Sequence, residues 1–532
     1  MDSRGPDART TEVFAGGVLG ACVDSSGPPA WDLSRRWLVF VTQAPTNLRA
    51  LRTELAARDR VGPEASPSAL AAAIFTEIGF ERGLGRLEGD SAIVAWDAQD
   101  QVLYVARDRA GLFPVHFTRL PAGGLAFATD LSALAALPGF HRAVDPAAVA
   151  TLAVLGLLPP PESLLDGVEH LGAGTLMKAG SGGHVLLRWW ETGANPAGGD
   201  GAAVQWAKSL RMSIELATRQ RGGDQVAVAC GGGAYSRALA RMVDPSGTGM
   251  DVIRFGPRGT VDLSPGDLEG VLDEMAAGLG EPTVAPEGIG WWVVAREAWR
   301  RGHTCVLTGL GGTAAFEVPV AGTRRRLAGT LGISKPLQPH WARPLLAPDA
   351  TDPVWAAIDL LEAACPTTVA DAAGPWLARR LLLAERMLAP AERACAAFGV
   401  RLAAPLADPR LLTLAASIPL EHHRAGGVPR ALFLRAVADL VPAAPAPSAP
   451  LPIPLDVWFR GPCRGLLDGL PDRVASIVAP AHTRALIDGH AAGRFDASRR
   501  LWALLLIERW SRSHDCVVAT HPSWADSGPP IL

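Results

Sequence analysis

The chain has 532 residues, of which 48% are hydrophobic and 19% charged, and a formal net charge of −3. That length is enough for two or three domains with buried cores, and so small a net charge excludes electrostatic attraction to nucleic acid or to an anionic membrane. The seven cysteines (22, 230, 305, 365, 395, 463 and 516) include no CxxC pair. They fit a reducing cytoplasm rather than a disulfide framework, and no zinc site is readable from them.

The chain opens on Met1-Asp2-Ser3-Arg4-Gly5-Pro6-Asp7, too polar for a signal peptide, and its longest apolar runs, such as Ala147–Leu158, are too short to span a membrane. A soluble, cytoplasmic protein is expected. The runs Trp37–Thr42, Ser91–Trp96, Val102–Ala106, Val115–Phe117, Leu125–Thr129 and Val185–Trp190 predict short strands of a layered sheet domain over residues 1–191. Residues 192–203, rich in Gly and Ala, read as a linker. From 204 to 515, strands at Val226–Ala229, Asp251–Phe255 and Thr304–Thr308 alternate with longer helical patterns, which predicts a parallel sheet. Helices are expected over Trp376–Met387 and Ala431–Leu440, then a proline-rich break over Pro442–Pro454. Residues 516–532 read as a tail, with fraying expected after Ser511. Arg324-Arg325-Arg326 and His422-His423 read as surface.

The feature that points to chemistry is Cys230-Gly231-Gly232-Gly233-Ala234-Tyr235-Ser236, which follows the apolar strand and precedes a helix marked by Leu239, Met242 and Val243. Backbone N–H groups of such a turn, with the helix N-terminus, form an anion nest. A second glycine turn, Gly309-Leu310-Gly311-Gly312, follows the strand ending at Thr308. Neither turn carries an acid. A dinucleotide site is the rival reading, with Asp251 some twenty residues on, but the GxGxxG spacing fails at Ser236. Cys230, at a helix start, is a candidate nucleophile or a small residue buried beneath the turn.

Several motifs share one order. Leu87-Glu88-Gly89-Asp90-Ser91-Ala92 with Trp96-Asp97, Ala106–Pro114, Phe127–Asp130, Leu155–Pro161 and Arg188-Trp189-Trp190 precede the two glycine loops. Glu385-Arg386-Met387, Pro405–Asp408 and Pro454–Pro462 follow them. The ordered set resembles the class B asparagine synthetase family, including its β-lactam synthetase and lasso-peptide cyclase branches. The resemblance implies a two-domain α/β fold: an N-terminal Ntn-hydrolase-like α/β/β/α sandwich, then an ATP-pyrophosphatase-like parallel sheet with helices on both faces. It also implies adenylation of a carboxylate by ATP and Mg²⁺, and displacement of AMP by an amine. Glu385 and Asp408 match family positions near the substrate cleft, and each could equally cap a helix or pair with an arginine such as Arg386 or Arg410.

Against the family's SGGxDS and GDGGDE loops this chain shows five or six losses. Cys230, Ala234 and Tyr235 depart in the first, and Leu310, Thr313 and Ala314 in the second. What stays is a vestigial phosphate-binding skeleton of Cys230, Gly231, Gly232, Gly233, Ser236, Gly309, Gly311 and Gly312, with no metal ligand expected. The stretch Phe14-Ala15-Gly16-Gly17-Val18 best resembles the glutaminase start, so Ala15 stands where the family carries its nucleophilic cysteine; Cys22 lies past the motif. Glutamine hydrolysis is not expected. The lysine of the cyclase branches is missing from Ala446–Pro452, and the chain's only lysines are Lys178, Lys208 and Lys335.

Two readings follow. In one, the protein is a noncatalytic or regulatory partner in a specialised-metabolite or modified-peptide pathway, binding an active paralogue, a peptide or a small molecule. In the other, it is a glutamine-independent amide-forming cyclase or ligase using ATP and Mg²⁺, or an enzyme whose chemistry no longer uses ATP. A homo-oligomer fits either.

Overall fold

The structure is a computed structural model describing residues 8–14, 16–23, 27–62, 64–121, 123–191, 203–221, 225–245, 251–255, 261–317, 378–428, 430–441 and 453–518. The linker and proline-rich readings fall almost wholly outside these residues, as do Ala15, Lys335 and Arg324–Arg326.

The N-terminal half contains a six-stranded antiparallel sheet in the order Gly183–Arg188, Thr175–Gly180, Val102–Ala106, Ile93–Asp97, Trp37–Val41 and Ala30–Trp31. Strand side chains alternate between faces, and this alternation assigns the layers. Trp37, Val39 and Val41 pack with Leu51, Leu70 and Phe75 of the helices Leu48–Ala56 and Pro67–Ile78. Leu38 and Phe40 face the other way, onto Phe117 and Leu171. Phe117 belongs to a three-stranded sheet ordered Val168–His170, His116–Arg119, Leu125–Ala128, and Leu19 in the same core belongs to the hairpin Ala8–Phe14/Gly17–Val23.

Helices Leu131–Ala135 and Pro146–Leu155 complete the α/β/β/α order. The apolar run from Ala147 is thus a buried helix, started by the Asp145 cap on the Ala147 N–H and by Pro146, and stopped at Gly156 with φ +72°. No helix among the described residues is long and apolar enough to cross a membrane.

The second half holds a parallel sheet in the order Asp251–Ile253, Val226–Ala229, Cys305–Thr308, Arg401–Ala403. Helices Ala203–Arg221 and Ala234–Val243 lie on one face, and Glu287–Arg300 and Ala389–Ala397 on the other. Arg401–Ala403 has too little β character to be read from sequence; its neighbour Cys305–Thr308 imposes the extended form. The expected helix over Trp376–Met387 is described from Ala378, with π-type bonding to Leu388.

Two expectations are corrected. His423 is fully buried, its Nε2 2.9 Å from the Ala415 carbonyl and its ring 6.3 Å from Phe316, and burial pushes its pKa down to about 4. The short helix Leu420–His423 folds back on Pro409–Ser417 and carries His423 inward. The chain also does not fray after Ser511. Helix Ser498–Ser513 buries Trp502 and Trp510, and Val517–Val518 then pair in parallel with Ala143–Val144 of the first domain.

Buried arginines join the domains. Arg221, ending helix Ala203–Arg221, donates from Nε to Asp90 at 2.9 Å and from Nη1 to Asp408 at 2.7 Å. Arg107 donates to Glu385 and to the carbonyls of Leu171 and Gly111. Removing one member of a buried pair strands the others' charge in a low dielectric. Arg221→Met should therefore lower stability to urea by about 3–5 kcal/mol, whereas truncation of the exposed Arg484, paired with Asp472 at the surface, should barely register.

Candidate functional site

The two glycine loops meet. Strand Val226–Ala229 ends at Cys230, whose N–H donates to the Ile253 carbonyl at 3.0 Å and extends the sheet by one residue. Gly231 and Gly232 are exposed, Gly232 with φ +82°, and Gly233 caps helix Ala234–Val243 in an extended conformation. The Ser236 hydroxyl turns back into its own loop, donating to the Gly233 carbonyl at 3.3 Å and to Cys230 Sγ at 3.5 Å. Cys230 is itself buried.

The second loop leads into the short helix Gly312–Phe316. A Cβ on Gly309 would lie 2.8 Å from the Ser236 nitrogen, and one on Gly312 would lie 2.6 Å from the Tyr235 ring. Gly311 has φ +94°, and its Cβ would sit 2.5 Å from the Ala407 nitrogen. These glycines are where three backbone segments touch.

Tyr235 occupies the junction of the loops. Its ring is 5% exposed and packs edge-on against Phe433 at 4.6 Å. Its hydroxyl donates to Glu317 at 3.0 Å, and Arg430 pairs with the same carboxylate at 3.1 Å while lying 5.6 Å from the ring centre. Burial first, and then Glu317, push the phenol well above its usual value, so it stays a neutral donor. Ala234 and Ala314 are fully buried among apolar neighbours. Among the described residues, no three His, Cys, Asp or Glu side chains gather where they could hold a metal ion. A Mg²⁺-triphosphate therefore does not fit the described residues of these loops: the carboxylate at the junction, Glu317, is engaged by Tyr235 and Arg430, and the tyrosine ring packs against Gly312.

Glu385 and Asp408 are not at this junction of loops; they face the N-terminal domain. Asp408 caps helix Pro409–Ser417 through the Arg410 N–H and pairs with Arg221 and Arg410. Glu385 pairs with Arg107 at 2.7 Å rather than with Arg386 or Arg410. Burial opposes ionisation of both, yet Arg107 and His170 hold Glu385 down to about 2, and Arg221 and Arg410 do the same for Asp408. Asp251, the acid of the dinucleotide reading, pairs with Arg301 and His303. Of the lysines, Lys178 lies 5.5 Å from the centre of the Tyr104 ring, and Lys208 is exposed on helix Ala203–Arg221.

Sequence reasoning missed the part played by Glu317 and Arg430, which fall in no motif. The one available signal was the size of Tyr235 at a position expected to be small, since a buried phenol needs a partner for its hydroxyl.

Comparison with known proteins follows this geometry. A family model for the glutamine amidotransferase domain matches residues 1–190, and one for asparagine synthase matches residues 256–512. The chain belongs to the asparagine synthetase family. Proteins of Mycobacterium bovis and Mycobacterium tuberculosis, provisionally named glutamine-hydrolyzing asparagine synthetases, are 25% identical over 524 residues, covering 80% of this chain and 77% of theirs. Among solved structures, a glutamine phosphoribosylpyrophosphate amidotransferase from B. subtilis complexed with ADP and GMP is 12% identical, with a TM-score of 0.25, over 57% of this chain and 68% of that one. An allosteric regulatory enzyme of purine biosynthesis gives the same identity and TM-score over 60% and 65%.

Two outcomes test this account of the site. Gly311→Ala combines a left-handed φ with a backbone collision and should cost about 2–3 kcal/mol in urea unfolding; Gly232→Ala has a similar φ but open space around it and should cost only about 1 kcal/mol. Glu385 and Asp408 ionise more readily in the fold than in the unfolded chain. Their contribution is therefore full above about pH 4.5 and is lost as pH falls towards 2. Acid titration of Glu385→Gln should show a shallower loss of stability over that interval than the parent chain.

Proposed function

We propose that this asparagine-synthetase-like protein is a noncatalytic partner in which both ancestral reactions have been lost, in a specialised-metabolite or modified-peptide pathway. The observation that carries the reading is Tyr235. Its Cβ lies against Gly309 and its ring against Gly312, and its hydroxyl is engaged by Glu317, so the meeting point of the two loops is filled by the protein's own side chain. Stabilising a leaving pyrophosphate needs donors and a cation aimed at the developing charge. The loops instead offer Cys230, Ala234, Leu310, Thr313 and Ala314.

The glutaminase end supports the same reading. An N-terminal nucleophile uses its own α-amine as the base. Here strand Ala8–Phe14 pairs with Gly17–Val23, and Ala15, between them in the sequence, supplies no thiol. A Cβ on Gly16 would lie 2.5 Å from the Trp96 ring, and Phe14 packs on the same ring at 5.1 Å.

A partner role also has surface to draw on. Val185, Leu186 and Leu187 are exposed on strand Gly183–Arg188, at the end of the six-stranded sheet. An exposed apolar run on an edge strand favours pairing with another chain.

Calorimetric titration with MgATP, alone and with an intact homologue, together with a pyrophosphate-release assay, decides the matter. No binding heat at millimolar nucleotide and no pyrophosphate are expected from the isolated chain. Binding with turnover would sink the noncatalytic reading and favour an amide-forming ligase.

A further inference from the structure

The six-stranded sheet has two unlike edges. One is Ala30–Trp31, only two residues long and so a poor template for another strand. The other is Gly183–Arg188, six residues in unbroken register with Thr175–Gly180. Val185, Leu186 and Leu187 of this edge are 53%, 39% and 42% exposed, and neither a proline nor a bulge blunts it.

Backbone geometry decides which groups face outward. The loop Ser181-Gly182 joins the two strands, and in a two-residue hairpin the residues flanking the loop exchange both backbone hydrogen bonds. Those residues are Gly180 and Gly183, so Val185 and Leu187 also bond inward. The Trp189 N–H continues the series by donating to the Gly174 carbonyl at 3.0 Å. The N–H and C=O groups of His184, Leu186 and Arg188 are left pointing off the sheet.

Side chains set the chemistry of what can pair there. His184 and Arg188 stand on the same face as Leu186, and Val185 and Leu187 stand on the other. From Thr175 to Trp190 the chain carries Lys178, His184 and Arg188 and neither Asp nor Glu. Glu191, past the strand, meets one nitrogen of Arg188 at 3.0 Å, with both side chains exposed. Two copies of this edge paired about Leu186 would set each His184 against the other's Arg188, two basic groups with no acid between them. A strand with one acid opposite His184, another opposite Arg188, and apolar residues opposite Val185, Leu186 and Leu187 satisfies every position.

We propose that Gly183–Arg188 docks an extended segment of another protein, which adds a strand to the sheet and carries two acids four residues apart with three apolar residues between them. Backbone bonds to His184, Leu186 and Arg188 supply the affinity, and the two acids supply the choice of partner. The proposal rests on the partner reading above and names that partner's chemistry.

Fluorescence anisotropy with a labelled Ser-Glu-Val-Val-Val-Glu-Ser peptide, against the same peptide with lysine for glutamate, tests it in the full chain without nucleotide. The glutamate peptide should bind about tenfold more tightly, the sum of two exposed charge pairs changed from attraction to repulsion. Leu186→Pro deletes an N–H that makes no bond within the sheet and should abolish binding with little change in thermal unfolding. Arg188→Glu should remove the preference for the acidic peptide. In the wild-type chain the peptide should slow amide exchange at His184, Leu186 and Arg188 but not at Val185 and Leu187, a readout that needs no variant. Equal affinity for the two peptides, or protection confined to other segments, overturns the proposal. So does a dimer in ultracentrifugation that Leu186→Pro dissolves, which would assign the edge to a second copy. Failure of the peptide to bind leaves the noncatalytic reading standing, whereas pyrophosphate release from MgATP would end that reading and leave the peptide result unchanged.

Discussion

Two buried guanidinium groups, Arg107 and Arg221, constrain the rest of the molecule. Neither can be desolvated without an acid beside it, and each finds its acid across the joint: Arg107 meets Glu385, and Arg221 spans Asp90 and Asp408. The LEGD stretch, the ARDR turn and the two acids of the second domain are thus parts of one electrostatic assembly. Asp108 belongs to it as well, accepting the N–H groups of Gly111, Leu112 and Phe113 and so folding the turn that lets Arg107 reach across. Burial, and then the nearby Asp90, raise Asp108 to about 6. Gly111, at φ +77°, lets the turn come within contact of Ala384, one residue before Glu385.

The same logic separates what the loops keep from what they lose. Gly309, Gly311 and Gly312 each sit where a Cβ would collide with the neighbouring loop or with Leu406 and Ala407. Their retention follows from close backbone approach, whether or not a phosphate ever binds. Acids at positions 234, 310, 313 and 314 would serve a ligand and support no packing, and at those positions the chain carries alanine, leucine and threonine.

Much of the fold was legible because strands of alternating or wholly apolar character stand between clear turns. Val226–Ala229 appears with the bounds the sequence suggested, and four strands of the six-stranded sheet lie within about two residues of their expected ends, whereas Thr175–Gly180 and Ala30–Trp31 were not read from the sequence. Arg401–Ala403 was not legible, since three residues acquire strand geometry from their neighbour. Nor was the docking of Val517–Val518 on Ala143–Val144, a contact between residues more than 370 positions apart. At the candidate site, the convergence of the two loops was readable from the motifs they resemble. The pairing of Asp408 with Arg410 was also readable, but Arg107 and Arg221 were not, because they lie 278 and 187 residues away from Glu385 and Asp408 in the chain.

The filling of the loops also resists simple reversal. An aspartate placed at Ala234 alone would put a carboxylate in a fully buried apolar setting with no cation to meet it, at a cost of several kcal/mol. Replacing Tyr235 by serine alone would open a cavity beside Phe316 and Phe433 and leave Glu317 and Arg430 to repartner. Either single substitution destabilises the packing that holds the two loops together. Tyr235 with its Glu317–Arg430 pair therefore acts as packing between the two loops, and the buried arginines tie that packing to the joint between the two halves.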